Sequence, residues 1–288
     1  MIQKHKNTFF SSHKNLNCGG KLLSLEKPLV MGILNITDDS FFDGGKYKNT
    51  DAALNHVEEM LKDGASIIDI GAVSTRPGAI EIPKEEEHSR ISNILKTVTE
   101  KFPNAIFSID TYRSEIARIA VDNGAHIIND ISAGNFDEKM FQTIRDLHVP
   151  YIMMHIQGTP ANMQSNPAYK NVVKDVIAYF SEKVAVLKKM GVNDIIIDPG
   201  FGFGKTLEHN YELLNNLEYF SIFGLPLMAG FSRKSMINKL LETNPADALN
   251  GTTVLNTIAL TKGVNILRVH DVKEAVEAIK IVEKMRGE

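Results

Sequence analysis

A single-domain TIM (β/α)8 barrel with an N-terminal β-hairpin is the fold predicted by this 288-residue chain. Three observations point to it. Short apolar runs alternate strictly with amphipathic helical patterns, eight of each, which is the mark of a parallel sheet with helical crossovers. The runs are apolar almost throughout rather than alternating, so both faces of each strand are buried. No linker-like or low-complexity stretch divides the chain, and barrels of about 250 residues form one domain.

The elements follow in order. Residues 1–15 read as a flexible N-terminal extension and 16–288 as the barrel. Within residues 1–28, Cys18-Gly19-Gly20-Lys21 lies between short apolar pieces and reads as a hairpin turn, placed to plug the closed end. The eight apolar runs are residues 29–34, 66–70, 105–109, 126–128, 151–154, 194–197, 225–229 and 264–267. Helical patterns fall between and after them, at 51–62, 84–100, 113–123, 137–147, 171–190, 207–219, 234–241 with 246–262, and 272–284. The run Lys84-Glu85-Glu86-Glu87 reads as a solvated helix face.

Composition narrows the function. A net charge of −3, with 43% hydrophobic and 23% charged residues, argues for neither nucleic acid nor a membrane surface. Cys18 is the only cysteine, so there is no disulfide framework and no thiolate metal cluster. No apolar run approaches the ~20 residues of a membrane helix. Residues 1–17 are polar and lack a signal-peptide core, so a cytoplasmic location is expected.

Active sites of such barrels lie at the C-terminal ends of the strands. There this chain places Asn35, Asp69, Asp110, Asn129, His155, Asp198, Lys234, Arg268 and His270. Asp110, Asn129, Asp198 and Lys234 are donors and acceptors suited to a polar heterocycle. Arg76, Arg268 and His270 are cations near strands two and eight. With Asn35 they suit a diphosphate held with Mg²⁺. Phe41 and Phe42 stand in a glycine-rich connection where they suit the walls of a second, aromatic substrate. No HExxH, paired CxxC or nucleophile elbow occurs, so the chemistry needs a leaving group rather than a covalent nucleophile. The stretch Asp198–Thr206 resembles a phosphate-binding loop, but Pro199 stands where that motif needs glycine. Lys205 is therefore read as loop support.

Eight ordered motifs carry a resemblance. They are Met31-Gly32-Ile33-Leu34-Asn35-Ile36-Thr37, Ser74-Thr75-Arg76-Pro77-Gly78, Ser108-Ile109-Asp110-Thr111-Tyr112, Asn129-Asp130-Ile131-Ser132, Met154-His155-Ile156-Gln157-Gly158-Thr159-Pro160, Asp198–Thr206, Ser232-Arg233-Lys234-Ser235 and Arg268-Val269-His270-Asp271. Together, over residues 16–285, they resemble dihydropteroate synthases. The resemblance implies a folate-pathway transferase that joins (7,8-dihydropterin-6-yl)methyl diphosphate to 4-aminobenzoate with Mg²⁺, by an SN1-like displacement. It implies Asp110, Asn129, Met154, Asp198, Phe203 and Lys234 at the pterin. It implies Asn35, Arg76, Arg268 and His270 at the diphosphate, with Asn35 also serving the metal. Around the aminobenzoate it implies Phe41, Thr75, Pro77, Phe203, Ser232 and Lys234. Asp110, Lys234 and Asn35 are the implied catalytic residues, and a homodimer through the later helices is implied. Asp38 stands where the family usually has proline, and Val73 where it usually has glutamate. A pterin-dependent methyltransferase and a non-catalytic pterin-binding paralogue are the competing readings.

Overall fold

The computed structural model describes residues 15–36, 46–74, 78 and 82–287, with side chains from 50 onward in the first helix. Asp38, Phe41, Phe42, Thr75, Arg76 and Pro77 lie outside the described residues, as does the expected extension 1–15 apart from Asn15, which belongs to the first strand.

The hairpin pairs β1 (Asn15–Cys18) with β2 (Lys21–Ser24) in antiparallel register, Cys18 facing Lys21. Gly19 and Gly20 both take positive φ, 62° and 90°, which is what a two-residue turn between right-twisted strands requires. Leu16, Cys18 and Leu25 pack on the lowest barrel layer, against Met31, Ile67, Ile127, Ile196 and Ile266. The hairpin thus plugs the closed end, as expected. Burial pushes the Cys18 thiol up to about 12, so it is an inert core residue.

The barrel strands are β3 (Leu29–Asn35), β4 (Ile67–Gly71), β5 (Phe107–Asp110), β6 (Ile127–Asp130), β7 (Tyr151–Met154), β8 (Ile195–Asp198), β9 (Met228–Ala229) and β10 (Ile266–Val269). They pair in parallel in the order β8-β7-β6-β5-β4-β3-β10-β9. A bridge from Ile197 to Leu227 closes the ring between β8 and β9. The Ile197 N–H donates to the Pro226 carbonyl across that seam at 3.0 Å. β9 is shorter than the expected run 225–229. Pro226 has no N–H to donate, and the Leu227 N–H goes to the Asn265 side chain at 2.9 Å instead of a ladder.

Helices α1 (Lys46–Asp63), α2 (Lys84–Lys101), α3 (Ser114–Asp122), α4 (Met140–Leu147), α5 (Val172–Lys189), α6 (Leu207–Asn215), α7 (Ser235–Leu241), α8 (Leu249–Thr261) and α9 (Val272–Arg286) cover the outside. The expected helix 207–219 stops at Asn215 and continues as a 3₁₀ segment, Leu217–Phe223. Among the described residues no helix is long and apolar enough to cross a membrane.

Strand periodicity positions the site. Successive side chains alternate between the two faces of a strand, and Ile67, Ile127, Ile152, Ile196 and Ile266 all belong to the lowest interior layer. Two residues on, each strand presents a side chain to the same interior. Those side chains are Asp69, Asn129, Met154, Asp198 and Arg268. An apolar floor therefore carries a mainly polar layer at the open end.

Candidate active site

Asp69 is at the centre of that layer and fully buried. Its Oδ2 accepts from Asn129 Nδ2 at 3.0 Å and from Arg268 Nε at 2.7 Å. Arg268 reaches on with Nη2 to Asp110 Oδ2 at 2.9 Å. One planar guanidinium thus bridges two carboxylates, which its fork geometry suits. Burial pushes the Asp110 carboxyl up to about 7; Arg268 opposes that shift, and the Asp69 charge adds to it.

Across the barrel, Asp198 accepts the Gly200 N–H at 2.8 Å. Burial raises its carboxyl above the usual range, against the pull of Lys234. Lys234 donates to the Phe201 carbonyl at 2.6 Å, and its amine lies 4.8 Å from the centroid of the Phe203 ring. Burial lowers the amine to about 8, while Asp198 holds it up. A Cβ on Gly230 would stand 3.6 Å from Arg268 Cβ and 3.8 Å from the Lys234 amine, so the missing side chain leaves that space open. Gly71 does the same between Asn35 and Asp110, at 3.5 Å from Asn35 Oδ1 and 3.6 Å from Asp110 Cβ.

Beside this polar layer, Ile131, Met154, Ile156 and Met163 form an apolar cluster with Tyr112, Phe136 and Phe203 against it. Met154 and Phe203 bring apolar surface next to the donors and acceptors. A flat ring with a polar edge finds both surfaces here. At the exit of β10, His270 Nδ1 lies 2.9 Å from Ser232 Oγ, and the His270 N–H donates to the same oxygen at 3.2 Å. Arg233, at φ 58°, pairs with Asp271 at 2.6 Å and ties these two exits together.

The structure brings together Asp110, Asn129, Asp198, Lys234 and Arg268 through direct contacts or their electrostatic influence, and sets Asn35 beside Asp110. It joins Ser232 to His270. From residue order, Arg268 falls with Arg76 and His270, apart from Asp110, Asn129, Asp198 and Lys234; the structure joins Arg268 to Asp69 and Asp110, because it points back into the barrel from within β10. Residue order marks Asp69 only as one strand end among several. Its position two residues after an inward isoleucine is the signal for its central place.

The Asp198–Thr206 loop is held from within. Lys205 is loop support: its buried amine donates to the Gly200, Phe203 and His155 carbonyls at 2.9, 3.0 and 3.2 Å and meets His155 Nδ1 at 2.9 Å. Burial lowers this amine to about 7. Burial and the Lys205 charge lower His155 to about 2, so His155 supports the loop and is a poor base. Gly200 and Gly204 have φ of 73° and 60°. A Cβ there would meet the His155 and Gln157 carbonyl oxygens at 2.0 and 2.4 Å, so the glycines seat this loop on the β7 exit. The run Lys84–Glu87 is only partly a solvated face. Glu87 is 1% exposed. It lies on the stripe with Ile91, Ile94 and Leu95 and accepts from Thr111 at 2.6 Å.

The family described as pterin binding enzyme matches residues 31–270. The dihydropteroate synthase of Escherichia coli K12 is 44% identical over 92% of this chain and 94% of that protein. This chain belongs to the dihydropteroate synthase family of pterin-binding enzymes. The synthase of Haemophilus influenzae is 41% identical over 92% of this chain and 97% of its own. Among solved structures, the Yersinia pestis dihydropteroate synthase with a sulfonamide drug complex superposes with a TM-score of 0.89. It is 41% identical and covers 95% of this chain and 100% of its own. The Xanthomonas albilineans dihydropteroate synthase with 4-aminobenzoic acid gives 0.89 at 35% identity, covering 96% of this chain and 99% of its own. The barrel with a polar upper layer is thus a dihydropteroate synthase fold.

Proposed function

We propose that this chain condenses (7,8-dihydropterin-6-yl)methyl diphosphate with 4-aminobenzoate, giving 7,8-dihydropteroate and diphosphate. The observation that carries this is the interior layer of Asp110, Asn129, Asp198 and Lys234 beside Met154 and Phe203. It offers acceptors and donors to an aminopyrimidine edge and apolar contact to its face. Relatives support the substrate class: the Xanthomonas albilineans synthase has been solved with 4-aminobenzoic acid and with 7,8-dihydropteroate.

In the proposed sequence the bond between the pterin methylene carbon and the diphosphate oxygen breaks first, and its electron pair leaves with the diphosphate. The carbocation delocalises into the dihydropterin. The amino lone pair of 4-aminobenzoate then forms the new C–N bond, and that nitrogen gives up a proton. Asp110 and Asp198 stabilise the positive ring by their fixed charge. Arg268, His270, Arg76 and Asn35 receive the diphosphate; Phe41, Thr75, Pro77, Phe203 and Ser232 border the aminobenzoate.

Mg²⁺ fits the residues present. It takes few protein ligands, keeps waters and uses substrate phosphate oxygens. Asn35 offers one hard oxygen near Asp110, and among the described residues no cluster of three or more acidic, His or Cys side chains is built as a cage. When bound, the ion neutralises charge growing on the departing diphosphate.

The test is diphosphate release by purified protein. Release is expected only with the pterin diphosphate, 4-aminobenzoate and Mg²⁺ together. Pterin binding without release under those conditions would favour the non-catalytic paralogue. Methyl transfer from a methylated donor would favour the methyltransferase.

A homodimer in the cytoplasm completes this reading. Val254 and Ile258 on α8 and Leu240 and Leu241 on α7 are exposed apolar side chains on the later helices. Sedimentation is expected to show a dimer that Val254→Asp with Ile258→Asp splits. A wild-type monomer at micromolar concentration would refute it, and cell fractionation checks the location.

A further inference from the structure

Outside the barrel wall, at the same end as the site, the first two turns of α2 form a bracket. The exits of β3 and β4 are already paired, the Ile36 N–H donating to the Gly71 carbonyl at 2.8 Å. Just beyond that pair lie the carbonyls of Ile36 and Ala72. Arg90 takes both: Nη1 lies 3.5 Å from the Ile36 oxygen and 3.4 Å from the Ala72 oxygen. Its Nη2 pairs with Glu86 one turn back on the same helix. The Arg90 side chain is only 9% exposed, while Glu86 is 43% exposed, so it is the carbonyl contacts that are shielded from water and salt. Next to it, Glu87 pairs with Arg113 and accepts from Thr111, the residue after Asp110. Arg113 Nη2 in turn donates to the Ile82 carbonyl at 3.0 Å.

We propose that Arg90 is a positioning residue of the transferase: it fixes the spacing of the β3 and β4 exits and so sets where Asn35 stands beside Asp110. The inference rests on the transferase reading only for its kinetic consequence. In the sequence, the chain beyond these two exits carries Phe41, Thr75, Arg76 and Pro77, the residues expected at the aminobenzoate and diphosphate. The pterin contacts expected at Asn129, Asp198 and Lys234 come from β6, β8 and the start of α7 rather than from β3 or β4. A planar guanidinium addresses two carbonyls and a carboxylate at once, whereas a lysine ammonium is a point charge without that fork.

The kinetic arm compares wild type, Arg90→Gln and Arg90→Lys. Arg90→Gln is expected to raise the KM for 4-aminobenzoate about tenfold and to lower kcat, because sub-ångström misplacement near a reacting centre costs one to two orders of magnitude. Calorimetric affinity for a non-reactive pterin is expected to stay within about twofold, since uniform loss of fold would move both. Arg90→Lys keeps the charge and is expected to recover only part of the loss. A second arm is independent of turnover. Amide hydrogen exchange is expected to quicken at residues 33–36 and 70–74 in Arg90→Gln and to stay unchanged at residues 195–198. Unchanged exchange at both exits, or a KM equal to wild type with only a lower Tm, would overturn the proposal. So would full recovery by Arg90→Lys. Inactive wild-type protein would count against the transferase, while the exchange arm would still decide the role of Arg90.

Discussion

Lys234→Ala lowers kcat/KM by about 10²- to 10³-fold while the barrel still folds. Its amine is one of the preorganised donors of the polar layer, and removing one such donor commonly costs that much. It stands at the start of α7, lies over the Phe203 ring and balances Asp198. Without it, Asp198 keeps a buried carboxylate with less opposing charge, and Phe203 loses its cationic neighbour. Lys205 is the informative contrast. Its amine is caged by three carbonyls and His155, so Lys205→Ala strands buried acceptors and costs stability, about 1–3 kcal/mol for each group left unsatisfied. Its kcat/KM per folded molecule falls far less than that of Lys234→Ala. Thermal melts and active-site titration separate the two effects. Equal losses per folded molecule would mean that the donor layer is misplaced.

Asp110→Asn loses activity and gains stability, and the gain depends on pH. The folded chain holds the Asp110 proton up to about 7, against an ordinary value of 3.8. A carboxyl raised in this way favours the fold fully below its unfolded value. That contribution is lost as pH rises through about 7, where a buried charge must be carried. Asparagine carries no charge at any pH. The Tm difference, variant minus wild type, therefore becomes more positive from pH 5 to pH 8. Arg268 retains Asp69 as a partner in the variant, which limits the disturbance. For wild type, kcat/KM for the pterin diphosphate rises with pH through about 7, and this limb is absent in Asp110→Asn. A Tm difference that is equal at pH 5 and pH 8 would show that Asp110 is ionised throughout.

Much of this architecture is legible in residue order. Eight apolar runs ending in polar residues already place a barrel and its working rim, and the Gly19-Gly20 turn already announces the hairpin. What residue order withholds is which rim groups meet. Asp69 and Arg268 are 199 positions apart, and only closure of β10 onto β3 makes them partners. Strand boundaries depend on backbone partners too: Pro226 shortens β9, although the rest of 225–229 is apolar throughout. Glu87 looked solvated because its neighbours are charged. Its place on the stripe of Ile91 and Ile94 was visible, but the Thr111 and Arg113 groups that satisfy it belong to the next βα unit. Lys205 shows the opposite case: the phosphate-loop pattern fails at Pro199 in the sequence, and the amine is held by three carbonyls and His155.

The claim at the centre is that Asp110, Asn129, Asp198 and Lys234 form the pterin slot. Calorimetric titration of a non-reactive pterin into wild type, Lys234→Ala, Asp110→Asn and Lys205→Arg tests it most directly. The expected result is tight one-to-one binding by wild type, a loss of tenfold or more in each of the first two variants, as charge-assisted contacts worth about 1.5–3 kcal/mol imply, and a much smaller loss in Lys205→Arg. Wild-type affinity in Lys234→Ala and Asp110→Asn together would contradict the account and place the pterin elsewhere on the barrel.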